Sequence, residues 1–174
     1  MVLKIVDIKD PVLRKKAKHI AQVDKKIRSL ISDMQETLRA QKDPEGIGLA
    51  APQVGKSLAM FVVDFENLKK VVINPVILDQ HQPKTKVPSK RSKLLEGCLS
   101  LPNYYSPIRR GNYIKIKYLD IDGKEVIEDF HNFNAQVIQH EIDHLNGVLF
   151  VDHVLKQNSP LYKFSGDDWE EVDL

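Results

Sequence analysis

The chain has only one cysteine, Cys98, in 174 residues. An intramolecular disulfide is excluded, and the thiol is left as a buried small hydrophobe, a nucleophile or a metal ligand. No apolar run approaches the length that crosses a bilayer, and the N-terminal MVLKIVDIKDPVLRKKAKHI has no secretory apolar core. A soluble, cytoplasmic protein without a membrane partner is expected. Charge of one sign is also scarce: the formal net charge of +2 does not require a polyanionic partner, and no DNA-binding role is expected. Repeats, low-complexity tracts and Gly/Ser linkers are missing too, so a single domain over residues 1–174 is expected.

What is present reads as an α+β fold. Ile27, Leu30, Ile31, Met34 and Leu38 recur at three- and four-residue spacing between Asp24 and Ala40, which predicts an amphipathic N-terminal helix. Leu58 to Asp64 and Val71 to Leu78 are rich in β-branched residues and read as strands. Alternation from Tyr113 to Phe130, broken at Asp122-Gly123, predicts a hairpin of half-buried antiparallel sheet. A second helix is expected after it, capped by Asn134, with Val137, Ile138, Ile142 and Leu145 on its apolar face and Gly147 at its stop. Without strand–helix alternation, the sheets should be antiparallel and packed around this second helix as the central, C-terminal element.

His140-Glu141-Ile142-Asp143-His144 has the HExxH pattern. Two imidazoles four residues apart lie on one helix face and can grip a single ion. Glu141 sits about 100° around the helix from His140, beside the open coordination position, where it can take a proton from water without becoming a ligand. A catalytic site of this type needs a third protein ligand and a free position. The extended protease pattern would place a histidine at 150, where Phe150 stands. Glu170 and Glu171 lie in an acidic tail with no evident supporting element, and His153 is the nearest rival. Upstream, Glu96-Gly97-Cys98-Leu99-Ser100 offers a thiolate that would complete a Cys/His/His set. The small, apolar segment Gly46 to Gly55 carries one amide, Gln53, and fits neither nucleotide-loop spacing.

Together, GIGLAAPQVG at 46–55, EGCLS at 96–100 and QHEIDHLNG at 139–147 resemble the peptide deformylase family, in the family's order. Asp10-Pro11-Val12-Leu13-Arg14 resembles its N-terminal segment. The resemblance implies a metal-dependent hydrolase that removes the formyl group from the N-terminal formyl-methionine of new polypeptides. It implies Cys98, His140 and His144 as metal ligands and Glu141 as acid/base. It further implies Gln53 and the Leu99 N–H as oxyanion donors, and the Ile47-Gly48 backbone as an edge for an extended peptide. Val137, one turn before Glu141, is a candidate for the methionine pocket, with ordinary core packing as the alternative. The resemblance also pairs Glu96 with Arg110. The implied ion is Fe2+, although a Cys/His/His set also accepts Zn2+, Ni2+ or Co2+.

Asn103-Tyr104-Tyr105 departs from the family's usual Arg or Gly near the cleft. The acidic C-terminal tail would repel ribosomal RNA, so transient ribosome association stays an open expectation. The basic residues Lys84, Lys86, Lys90, Arg91 and Lys93 read as a solvated loop. Two other readings compete: a zinc endopeptidase, and a non-catalytic module that binds formylated N-termini. Intact Glu141 and Gln53 argue against the second, since neither is needed to hold an ion.

Overall fold

The computed structural model describes residues 1–83 and 95–174, so the basic stretch from Lys84 to Lys93 lies outside the described residues. Among the described residues, three α-helices, α1 (Lys25–Ala40), α2 (Asn132–Leu145) and α3 (Phe150–Gln157), accompany nine strands. Five strands, β1 (Gly48–Ala50), β2 (Met60–Phe65), β3 (Leu68–Gln80), β6 (Tyr113–Leu119) and β7 (Glu125–His131), form an antiparallel sheet in the order β1-β2-β3-β6-β7. The others, β4 (Glu96–Cys98), β5 (Leu101–Ser106), β8 (Leu161–Ser165) and β9 (Asp168–Val172), form a second antiparallel sheet in the order β4-β5-β8-β9.

The unbroken apolar run of β2 has a direct cause. Met60 and Val62 point to one face, where Ile31, Met34 and Leu38 of α1 pack with Leu49 and Ile73. Phe61 and Val63 point to the other, where Ala135, Val137, Ile138 and Ile142 of α2 pack with Ile114 and Ile116. A strand covered by helices on both faces loses the polar half of its alternation. At the start of α1, the Asp24 carboxylate accepts from the Ile27 N–H at 2.9 Å, as an N-cap should.

The second helix begins earlier than the sequence suggests. Its cap position is His131, which makes no side-chain capping bond, and Asn134 lies inside the first turn. Gly147 does supply the left-handed stop at φ +73°. A Cβ there would also stand 2.5 Å from the Arg14 carbonyl oxygen, so the close approach requires glycine independently of the turn. The HExxH helix is not the last element either: α3 and the β8–β9 hairpin follow, and Phe150, Val154 and Leu161 build a third apolar cluster against Cys98 and Ile108.

The N-terminal segment ties the site's loops together. The Val6 N–H donates to the Gln53 carbonyl and the Ile8 N–H to the Ser100 carbonyl, each at 2.9 Å, while Ala17 N–H reaches the Leu145 carbonyl at the end of α2. Asp10 caps the short 3-10 turn Pro11–Arg14, whose Leu13 is fully buried. This explains why an Asp-Pro-Val-Leu-Arg segment so far upstream accompanies the motifs. Among the described residues, no helix is long and apolar enough to cross a membrane.

Candidate active site

Helix α2 carries His140, Glu141 and His144 to a cleft of about 520 Å³. Ile47, Gly48, Gln53, Cys98, Leu99, Val137, His140 and Glu141 all line it. His144 stands behind that surface, 1% exposed. Thus the residues singled out in three separate sequence segments converge on one place. Among the described residues, strands β1 and β4 are the end strands of their respective sheets, and both border this cleft.

The donor atoms of Cys98, His140 and His144 lie within 4.8 Å of one another. The two Nε2 atoms are 3.2 Å apart, and Cys98 Sγ is 3.3 Å from His144 Nε2. Such separations suit ligands that converge on one ion from about 2.0–2.3 Å. Two further observations fit an ion better than an ordinary core. His140 Nδ1 meets the Glu96 carboxylate at 2.6 Å, which turns Nε2 toward the cluster. Glu141 Oε2, beside the cluster, is buried and has no hydrogen-bond partner among the described residues, a costly state for a polar atom in a core. A site of two imidazoles, a thiol and a neighbouring carboxylate can hold one divalent ion.

Electrostatics separate the two acids of the site. Burial pushes the Glu141 carboxyl up to about 7, the range in which a group both takes and gives a proton near neutrality. Burial acts on Glu96 in the same direction, but the Arg110 guanidinium and His140 overcome it and hold that carboxyl well below the usual range. Arg110 donates two bonds to Glu96, Nε to Oε2 at 2.6 Å and Nη2 to Oε1 at 2.7 Å. Its Nη1 donates to Asp143 at 2.8 Å. The Glu96–Arg110 pair therefore stands as a geometric fact, and Glu96 also touches His140.

Asp143 is the residue that motif reading passes over. It accepts from Arg110 and meets His153 Nε2 at 2.8 Å, so His153 faces Asp143 rather than the metal-capable cluster. The only available signal was its place between the two histidines, one turn after His140. Arg110→Ala would leave Glu96 and Asp143 without their shared cation, and Arg110→Lys would lack the planar fork. Either change should lower metal retention roughly 10–100-fold, read as ions per chain after dialysis. Unchanged metal content in Arg110→Ala would contradict the role.

Gln53 is held with one end fixed and the other aimed at the cluster. Its Oε1 accepts from the Ala50 N–H at 2.9 Å, and its Nε2 points to Cys98 Sγ and Ser100 Oγ, each at 3.4 Å. Val137 is 8% exposed and contributes both to the core and to the cleft wall. Glu170 and Glu171, read as an acidic tail, are strand residues of β9.

An HExxH helix completed by an upstream cysteine, with an acid beside the ligands and a cleft in front, defines a mononuclear metal-hydrolase type of site. The chain belongs to the polypeptide deformylase family, whose model matches residues 2–159. It is 44% identical over 152 residues to the peptide deformylase of Pseudothermotoga lettingae, covering 87% of this chain and 82% of that one. The crystal structure of the Thermotoga maritima peptide deformylase superposes with a TM-score of 0.77 at 42% identity, covering 88% of this chain and 97% of that one. The Synechococcus elongatus peptide deformylase in complex with actinonin gives a TM-score of 0.77 at 37% identity, covering 90% and 82%.

Proposed function

We propose that this chain, acting as one catalytic domain over its whole length, hydrolyses the formyl amide at the N-terminus of formyl-methionyl polypeptides in the cytoplasm. The observation that carries the reading is the convergence of Cys98, His140 and His144 with Glu141 and Gln53 at one cleft between two sheet edges. Cys98, His140 and His144 would hold one divalent ion, Fe2+ by family resemblance, which would supply Lewis acidity at the site. Glu141 takes the proton of the attacking water. The water oxygen bonds to the formyl carbon, the C–N bond breaks, and Glu141 returns the proton to the departing nitrogen. Formate and a free N-terminal amine result. Gln53 Nε2 and the Leu99 N–H donate to the developing oxyanion, each such donor contributing a few kcal/mol.

The peptide lies extended along the Ile47-Gly48 edge, bonded through its backbone, which reads little sequence. The methionine side chain enters the cleft beside Val137. Nascent chains are the substrate, and any contact with the ribosome is transient. Gly48 is required because a Cβ there would overlap Glu141 Oε1 and stand 2.7 Å from its Cδ. Gly48→Ala should displace the carboxylate and lower kcat on the order of 10²-fold, the effect of a misplaced catalytic group. An unchanged kcat in a variant with wild-type metal content would contradict that placement.

The direct test supplies formyl-Met and acetyl-Met peptides to anaerobically prepared, iron-loaded protein and measures formate, acetate and free amine. Formate from the first and little acetate from the second is expected. No formate from metal-loaded protein would overturn the reading.

A further inference from the structure

The β8–β9 hairpin adds a feature to the cleft that the mechanism does not use. Residues 160–174 lie beyond the end of the family match at 159, yet Phe164 and Trp169 from this segment line the same cleft as the metal-capable cluster. The second sheet has two dissimilar faces. Leu161 pairs with Val172 on the face packed against α3. Phe164 pairs with Trp169 on the opposite face, with Tyr105 beside them. Trp169 meets Tyr105 edge-on at 5.4 Å between centroids and lies 4.9 Å from Phe164.

Despite these contacts, Trp169 is 52% exposed. The three rings already support one another, so the open surface of the indole costs little further ordering when something apolar covers it. The wall is continuous with the peptide cleft, and about 520 Å³ is room for a drug-sized ligand, more than a formyl-methionyl group alone requires.

We propose that Tyr105, Phe164 and Trp169 form a side-chain subsite that selects an aromatic or large apolar residue among the two that follow formyl-methionine. The inference rests on the deformylase reading above. Backbone pairing at Gly48 holds the substrate irrespective of sequence, and the aromatic wall adds the selectivity that backbone pairing lacks. Offset or edge-on contact with the indole, together with the area buried, favours such a side chain over alanine by about tenfold in kcat/KM. The preference is expressed mainly in KM, because the wall touches no reacting atom.

The experiment uses iron-loaded full-length protein and formyl-Met-Ala-Ala, formyl-Met-Phe-Ala and formyl-Met-Ala-Phe, with wild type, Trp169→Ala and Trp169→Phe. At least one Phe peptide should exceed the Ala peptide about tenfold in wild type. That ratio should fall toward one in Trp169→Ala and be largely kept in Trp169→Phe. A purely structural role for the hairpin would lower all three peptides together and leave the ratio intact, which would overturn the proposal. The chain has a single tryptophan, so indole emission gives a second readout. In metal-loaded Glu141→Gln, the preferred Phe peptide should shift the emission to the blue, and formyl-Met-Ala-Ala should shift it less. Equal rates and no emission change would reject the subsite while leaving deformylation intact. Absence of formate from every peptide would reject the underlying activity.

Discussion

Glu141→Gln should lose roughly 10²–10⁴-fold in kcat while keeping its metal, the range that a positioned acid/base group supplies. The amide is nearly isosteric with the carboxylate and occupies a residue only 3% exposed, so the cavity stays filled. It cannot take the proton of water or return it to the leaving nitrogen. Because the atoms that could hold the ion belong to Cys98, His140 and His144, this substitution leaves them in place. Formate release and metal analysis on the same preparation separate the two effects. Loss of metal in parallel with activity would mean that Glu141 helps to hold the ion, contrary to the role assigned to it.

Cys98→Ala should have the opposite signature, losing the ion first and activity as a consequence. Two imidazoles remain, but the site then has two protein donors where a catalytic site of this kind has three. The loss in affinity should exceed the roughly 10–100-fold that removal of an outer partner costs, so it should also exceed the effect of Arg110→Ala. Folding should be less affected than binding, because the larger side chains of Ile108, Phe150, Val154 and Leu161 still fill the cluster that Cys98 shares with them. Metal content after dialysis, with a thermal melt alongside, measures both. Full metal retention in Cys98→Ala would require a different third ligand.

The contrast between these two variants shows how much of the site is legible in the sequence alone. HExxH specifies its own geometry, because the helical period alone puts two imidazoles on one face and an acid beside them. Cys98 and Gln53 lie 42 and 87 residues before His140, and periodicity says nothing about pairing at that distance; only the resemblance of the three segments connected them. Asp143 was out of reach for the same reason. Its value comes from Arg110 and His153, which lie on other parts of the chain.

The fold divides along similar lines. Helix α1 and the β6–β7 hairpin were legible because each repeats a clear pattern over many residues, with an Asp24 cap in one and Asp122-Gly123 in the other. Strands β1 and β4 have three residues each, too few for an alternating pattern to be visible. The start of α2 was misplaced by a plausible cap residue, Asn134, although the chain turns into the helix at Asn132 in a left-handed conformation, φ +51°. The C-terminal hairpin did leave a signal. Gly166-Asp167, with φ +64° at Gly166, is a two-residue hairpin turn between short alternating strands. The acidic residues Asp167, Asp168, Glu170, Glu171 and Asp173 obscure that alternation, and with it the aromatic wall.

The most direct measurement of the central claim is formate release as a function of bound ion. Protein stripped with a chelator and then titrated anaerobically with Fe2+ should be inactive at the outset. It should regain formyl-Met peptide hydrolysis in proportion to bound iron, with activity levelling off at one ion per chain. Formate release that persists in the stripped protein, or that continues to rise well beyond one bound ion, would contradict a single catalytic ion held by Cys98, His140 and His144.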